Sequence, residues 1–287
     1  MGDALDSLVM LLDIEPIEVN IFRGVSPNEP RQRVFGGQVA AQSLMAAGRT
    51  VDQGRVHSLH AYFLRPGDPN APILYEVDRI RDGRSFTTRR VVAIQHGRAI
   101  FNLSTSFHIE EEGLEHQMPM PEVPRPENLK TFQERLAPWA DQIDETLLRA
   151  RSIDMRFIGE LPWDEPARSR PPRQQLWIKA DGELPEDPLL HACIVTYASD
   201  MTLFDSILMP HSIRWDDPRF MGASLDHCMW FHRPFRADGW LLYDQESPVA
   251  YGARGLARAS LFTERGDLAV SLAQEGLVRY RRASKAG

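Results

Sequence analysis

Two polar residues in the second half of the chain, Asp200 and Gln274, stand where hydrophobic spacing calls for apolar ones, and a third, Ser224, opens a nearby motif strand. Cys193, Tyr197, Phe204 and Ile207 recur at helical spacing, and Asp200 falls on the step between Tyr197 and Phe204. A carboxylate in the apolar stripe of a core-facing helix loses hydration and needs a partner. Such a group can act as a general base or orient a water. The plain alternative is an aspartate that turns to the helix flank and meets solvent. Gln274 repeats the pattern on a strand, because Leu268, Val270, Leu272 and Gln274 share one face by the period of two. Its amide both donates and accepts hydrogen bonds, unless it lies past the edge of the core. Ser224 opens a strand that carries an aromatic-x-Arg-Pro motif, where a hydroxyl holds water or caps a turn. A base, a hydroxyl and an amide together are the means of activating water.

Other residue types offer less. There is no Gly-x-Ser-x-Gly, hence no nucleophile elbow, and Gly36-Gly37 alone makes no phosphate loop. His57, His60, His227 and His232 flank strands without metal-ligand spacing and read as structural or surface residues. Cys228 reads as a small packing residue. Arg81, Arg84, Arg89 and Arg90 could meet phosphates, but a solvated charged face is the commoner outcome. Neither a metal nor a cofactor is expected.

The elements that must hold these residues come in two copies. Phe63, Arg65 and Pro66 match Phe231, Arg233 and Pro234 at one constant offset, and Leu74-Tyr75 matches Leu242-Tyr243 at the same offset. One residue further, Gly97 matches Gly266 and Leu103 matches Leu272, as a small loop insertion would give. In the first copy, Gln38 to Ala47 is rich in helix formers and Gly48 follows as a stop. Strands are then expected at His57 to Leu64, Ile73 to Ile80, Phe86 to Gln95 and Ala99 to His108, with an Asp82-Gly83 turn. In the second copy, Leu189 to Leu208 reads as one helix. Strands follow near Ser224 to Arg233, Trp240 to Glu246, Arg254 to Thr263 and Asp267 to Val278. A helix followed by an antiparallel meander, twice over, buries each helix under its own sheet and lets the two sheets join.

Duplication sharpens the chemistry. The counterparts of Gln274 and Ser224 are Thr105 and Val56, and in the first helix Gln42 is the expected counterpart of Asp200. One working site and one degenerate twin follow.

The domain reading is an N-terminal unit over 1–110, a partly helical linker over 111–170 and a C-terminal unit over 171–287 that carries the site. Within the linker, Met118 to Pro126 is proline-rich and extended, Leu129 to Arg151 has helical spacing, and no chemistry is apparent. The chain has 287 residues, 43% hydrophobic and 25% charged, which excludes a disordered protein. A net charge of −7 argues against nucleic acid and membrane surfaces as partners. No apolar run is long enough to span a bilayer, and the acidic start is unlike a secretory signal. Two cysteines are too few for a disulfide framework, so a reducing cytoplasm is expected.

The motifs also carry a family likeness. Phe35-Gly36-Gly37-Gln38, His60-x-Tyr62-Phe63-x-Arg65-Pro66-Gly67-Asp68, Asp82-Gly83-x-Ser85-Phe86, Tyr197-Ala198-Ser199-Asp200, Asp226-His227-x-Met229-Trp230-Phe231-His232-Arg233-Pro234 and Gln274-Glu275-Gly276 resemble the acyl-CoA thioesterase II (TesB) family. The likeness covers nearly the whole chain and is weakest from Glu110 to Ser169. It implies an α+β double hotdog, in which two long helices are each wrapped by an antiparallel sheet and the sheets are continuous. It also implies hydrolysis of fatty acyl-CoA to free fatty acid and CoA without metal or cofactor, and association into a homodimer or homotetramer. The family's catalytic aspartate, threonine or serine, and glutamine fall on Asp200, Ser224 and Gln274. Threonine is the frequent middle residue; serine keeps the hydroxyl but lacks the methyl that fixes its rotamer. Two competing readings are a non-catalytic acyl-CoA binding or sensing hotdog protein and an enoyl-CoA hydratase-like hotdog enzyme. The second wants a histidine near Asp200 in sequence, and none is there.

Overall fold

Alternation decides the strands. In β4 (Ile73–Asp82), Ile73, Tyr75 and Val77 are buried while Leu74, Glu76 and Asp78 are exposed, so one face is core from its first residue. The computed structural model describes residues 3–27, 32–143, 151–161, 164, 169–215 and 217–281. The first half contains α1 (Asp3–Leu12), β1 (Glu15–Glu18), β2 (Ile21–Gly24), α2 (Gly36–Gly48), β3 (Arg55–Phe63), β4, β5 (Phe86–Gln95) and β6 (Arg98–His108). The second contains β7 (Ile153–Ile158), β8 (Arg173–Ala180), α4 (Pro188–Ser199), α5 (Asp205–Leu208), β9 (Phe220–Ser224), β10 (Asp226–Phe231), β11 (Leu241–Tyr251), β12 (Arg254–Thr263) and β13 (Leu268–Tyr280). Between them lies α3 (Phe132–Leu136).

One antiparallel sheet of 13 strands results, in the order β1-β2-β4-β5-β6-β3-β10-β13-β12-β11-β8-β7, with β9 also on β13. This is the expected α+β double hotdog. The halves join where β3 meets β10, pairing Tyr62 with Asp226, His60 with Cys228 and Ser58 with Trp230. Exchanging the halves maps that register onto itself, so a pseudo-twofold axis passes between His60 and Cys228. Beneath the sheet, α2 and α4 pack antiparallel. Gly37 meets the carbonyl of Tyr197 at one end, and Gly48 meets Leu189 at the other. Buried Ala40, Ala41, Ala46 and Ala47 thin the core helix α2. At the start of α4, Asp187 accepts the amides of Leu189 and Leu190 at 2.9 and 3.3 Å.

Three sequence expectations are corrected. The helix expected over Leu189 to Leu208 stops at Ser199 and resumes only for α5. Asp200 therefore caps a helix end, at φ −87° and ψ 0°, instead of sitting in a continuous apolar stripe. The cause is tertiary: the hydroxyl of Tyr243 donates to the Ser199 carbonyl at 2.7 Å, where a continuing helix would bring its own amide. The strand expected over Ser224 to Arg233 is two strands on a shared neighbour. β10 pairs Cys228 with Ala273, whereas β9 pairs Ser224 with Gly276, a slip of one residue on β13. The side chain of Asp226 takes the displaced Glu275 amide at 2.6 Å. Such a bulge re-aims side chains around it, and Gln274 and Ser224 flank this one.

The helical expectation for Leu129 to Arg151 reduces to α3 and a short 3-10 turn over Ala137–Gln142, while 144–150 lie outside the described residues. A Thr131–Glu134 capping box starts α3. The proline-rich stretch is extended, as expected, and straps the outer face of the second half of the sheet. Met120 and Val123 cover Trp177, Leu242 and Phe262, and the Trp177 indole donates to the Pro124 carbonyl at 2.9 Å.

Candidate active site

Chain elements far apart in sequence bring the three predicted residues together. Gln274 Nε2 donates to Asp200 Oδ1 at 2.9 Å and to Ser224 Oγ at 2.6 Å. Ser224 Oγ in turn donates to Asp200 Oδ1 at 3.4 Å. The amide of Gly37, in the first turn of α2, also donates to the Asp200 carboxylate. That end of α2 carries the positive end of the helix dipole. A Cβ at Gly36 would lie 2.7 Å from Asp200 Oδ2, so the carboxylate reaches the helix end only because glycine stands there.

Burial pushes the Asp200 carboxyl above the usual carboxylate range; nearby His227, then the bonds from Gln274, Gly37 and Ser224, pull against it. A carboxylate held this way is a stronger base than one in water.

Behind the trio lies a residue that the sequence reading set among structural histidines. His227 is buried on β10, with Nδ1 2.9 Å from Gln274 Oε1 and Nε2 2.9 Å from Ser199 Oγ. Burial lowers its pKa, with the Asp200 charge opposing. The signal was present: His227, Met229 and Phe231 share the inward face of a strand, by the same period that singled out Gln274. The other three histidines pack against aromatic rings or Ser271: His57 on Phe86, His60 on Trp230, and His232 with its Nε2 2.9 Å from Ser271 Oγ. Arg89 is neither solvated nor phosphate-facing; it is buried and bonds Thr50 Oγ1 at 2.8 Å, tying the end of α2 to β5. Among the described residues no cluster of His, Cys, Asp and Glu could hold a metal ion.

A cavity of about 740 Å³ opens in front of the trio. Asp200, Ser224 and Gly36 line it, whereas Gln274 stands behind them. Phe63 and Phe101 come from the first half, Phe204 and, on β7, Phe157 from the second, and Phe132 from the region between. The linker, where sequence showed no chemistry, therefore builds a cavity wall. A second carboxylate, Asp205, also lines the space; burial raises its pKa to about 6 while the Trp215 indole donates to it at 2.7 Å.

The pseudo-twofold shows what the other half lacks. Asp200 caps the end of α4 whereas Gln42 lies in the middle of α2, so the expected equivalence does not hold; the matching end of α2 is Gly48-Arg49, where Gly48 lies against Leu189. Gln42 instead bonds the Leu11 carbonyl at 2.7 Å and accepts the Tyr75 hydroxyl at 2.6 Å. The sheet register keeps Val56 equivalent to Ser224, since Val56 pairs with Phe107 as Ser224 pairs with Gly276, and the same offset makes Thr105 equivalent to Gln274, as expected.

Two core helices wrapped by one antiparallel sheet, with a polar trio at the wall of a largely apolar cavity, define a double-hotdog protein. Its first half, residues 25–108, matches the acyl-CoA thioesterase N-terminal domain, and residues 167–277 match the acyl-CoA thioesterase family. Human acyl-coenzyme A thioesterase 8 (Homo sapiens) is 40% identical over 98% of this chain and 91% of its own length. Acyl-CoA thioesterase 2 of Haemophilus influenzae is 38% identical over 98% of this chain and 99% of its own. The crystal structure of an acyl-CoA thioesterase II, TesB2, from Mycobacterium marinum superposes with a TM-score of 0.78 at 43% identity, covering 94% of this chain and 97% of that one. The chain belongs to the acyl-CoA thioesterase family and is a thioester hydrolase.

Proposed function

We propose that the chain hydrolyses fatty acyl-CoA to free fatty acid and CoA by direct attack of a water held by Asp200, Ser224 and Gln274. The observation that carries this reading is the single amide nitrogen of Gln274 bridging Asp200 Oδ1 and Ser224 Oγ at the cavity wall. Two groups fixed by one donor define a small polar niche beside an apolar space of ligand size. A water bonded to Asp200 and Ser224 loses its proton to the carboxylate as its oxygen attacks the thioester carbonyl carbon. The tetrahedral oxyanion needs donors, and the opening amides of α2, beside Gly36, supply the nearest backbone dipole. Collapse breaks the carbon–sulfur bond and releases CoA thiolate, a leaving group that requires no strong acid. No acyl-enzyme forms.

Release of free thiol from a fatty acyl-CoA, followed with a thiol reagent, tests the reading. Asp200→Asn lowers kcat about 100-fold or more, the scale of general-base loss, while the circular dichroism spectrum is retained. Near-normal turnover in that variant overturns the assignment. Absence of thiol release by the wild-type chain, with acyl-CoA still bound, turns it into the binding protein of the competing reading. We further propose a reducing, cytoplasmic setting, supported by two free thiols at Cys193 and Cys228. A homodimer or homotetramer fits the exposed Tyr62 and Trp230 on the outer face of the central strands and is read by sedimentation velocity.

A further inference from the structure

We infer that His227 is a positioning residue, which acts through Gln274 to aim both hydrogens of its amide nitrogen at Asp200 and Ser224. The inference rests on the reading above, that Asp200, Ser224 and Gln274 hold the attacking water.

The single Ser199 hydroxyl hydrogen has two acceptors at 2.9 Å, the Thr196 carbonyl and His227 Nε2, and the neutral arrangement that also satisfies Gln274 Oε1 sends it to the imidazole. Gln274 Nε2 faces an acceptor-only carboxylate at 2.9 Å and the Ser224 hydroxyl at 2.6 Å, so both of its hydrogens are committed. Gln274 Oε1 then needs a donor, and His227 Nδ1 lies 2.9 Å away. A neutral imidazole protonated on Nδ1 has a bare Nε2, which accepts from Ser199 Oγ at 2.9 Å. The chain thus runs Ser199 to His227 to Gln274 to the Asp200–Ser224 pair. Ser199 is the last residue of α4 and immediately precedes Asp200, so both ends of the chain are fixed by one helix terminus.

The chemistry gives this relay something to do. In the resting site the Asp200 charge by itself keeps Nε2, and not Oε1, turned toward it. Once Asp200 has taken the proton from water it is a neutral acid that donates as well as accepts, and that electrostatic preference disappears. Only the Nδ1–H of His227 then holds the amide in place, at the moment when Ser224 and the reacting oxygen need fixed partners. In the other half of the fold, the equivalents of His227 and Gln274 are Leu59 and Thr105, and the Thr105 hydroxyl bonds the Ser58 carbonyl at 2.9 Å. There the strand packs well with leucine, and the histidine is absent together with the rest of the trio.

Two variants and one spectrum decide the matter. His227→Leu places the residue of the twin half into the same strand; kcat falls about 10-fold or more, the scale of lost orientation, with KM nearly unchanged. His227→Asn, whose amide N–H can stand in for Nδ1–H, recovers most of that loss. In a Gln274→Ala background His227→Leu has no further effect, because the route through the amide is already cut. Equal losses from His227→Leu in both backgrounds, or a folded His227→Asn no better than leucine, overturn the proposal. Nitrogen-15 NMR of histidine-labelled protein supplies a readout independent of turnover. A neutral imidazole protonated on Nδ1 supports the relay, and protonation on Nε2 overturns it. An Asp200→Asn variant with full turnover sinks the underlying reading instead, and leaves the NMR result standing by itself.

Discussion

Buried carboxylates carry a cost that a titration reveals. Asp205 has its pKa raised from 3.8 to about 6 by burial, so the folded chain prefers it protonated. Its favourable contribution is complete below pH 3.8 and is lost as pH rises to about 6. Asparagine keeps an acceptor for the Trp215 indole and needs no charge. The Tm of Asp205→Asn should therefore draw ahead of wild type between those two pH values and hold a constant lead above them. A lead that shrinks with rising pH reverses the sign and refutes the burial argument. Asp200 is raised for the same cause, so Asp200→Asn should lose turnover yet gain thermal stability at neutral pH, as functional sites built against stability do. Gln42 behaves in the opposite way. It is fully buried and its loss strands the Leu11 carbonyl and the Tyr75 hydroxyl. Gln42→Ala should cost about 1–3 kcal/mol in urea unfolding, with turnover kept.

The break between α4 and α5 aims Asp200, and it depends on two glycines. Gly255 and Gly276 are direct cross-strand partners on β12 and β13. A Cβ at Gly255 would lie 2.3 Å from Ile207, and one at Gly276 would lie 1.8 Å from Phe204. The pair makes a groove in the sheet that receives the segment after Asp200. Gly276→Val should destabilise the fold by about 1–3 kcal/mol, the usual cost of overpacking. It should also lower kcat/KM, because displaced Phe204 borders both the cavity and the Asp200 turn. Unchanged kcat/KM beside a lowered Tm would separate the groove from the site. This break also marks the limit of what the residues reveal in advance. The meander strands are legible because alternation is local, and Asp200 and Gln274 are legible because each interrupts a local period, whereas Ser224 is legible only through its motif strand and the family resemblance. The helix stop is not, since its causes, Tyr243 and the glycine pair, come from distant strands. The bulge between Ser224 and Asp226 likewise arises from a one-residue slip against β13, which no window around Ser224 contains.

Across the whole molecule, duplication supplies a symmetric frame, and the chain then spends its asymmetry on one side. Val56, Leu59 and Thr105 stand where Ser224, His227 and Gln274 stand in the other half, and the end of α2 at Gly48-Arg49 carries no carboxylate. The segment between the halves occurs once, and its Phe132, together with Met155 and Phe157 of β7, walls the cavity in front of Asp200 and Ser224. A non-hydrolysable acyl-CoA thioether should therefore bind one equivalent per chain by calorimetry. If that wall holds the acyl tail, its side chains set the chain length accepted. Phe157→Ala opens the wall without touching Asp200, Ser224 or Gln274. Each methylene newly sheltered is worth about 0.8 kcal/mol, or about fourfold in kcat/KM. The profile of kcat/KM across saturated acyl-CoAs should move toward longer chains, with thiol release from the shortest ones little affected. A profile that falls uniformly at every length would mean that this wall faces the CoA portion, and that the acyl group lies against Phe63 and Phe101 instead.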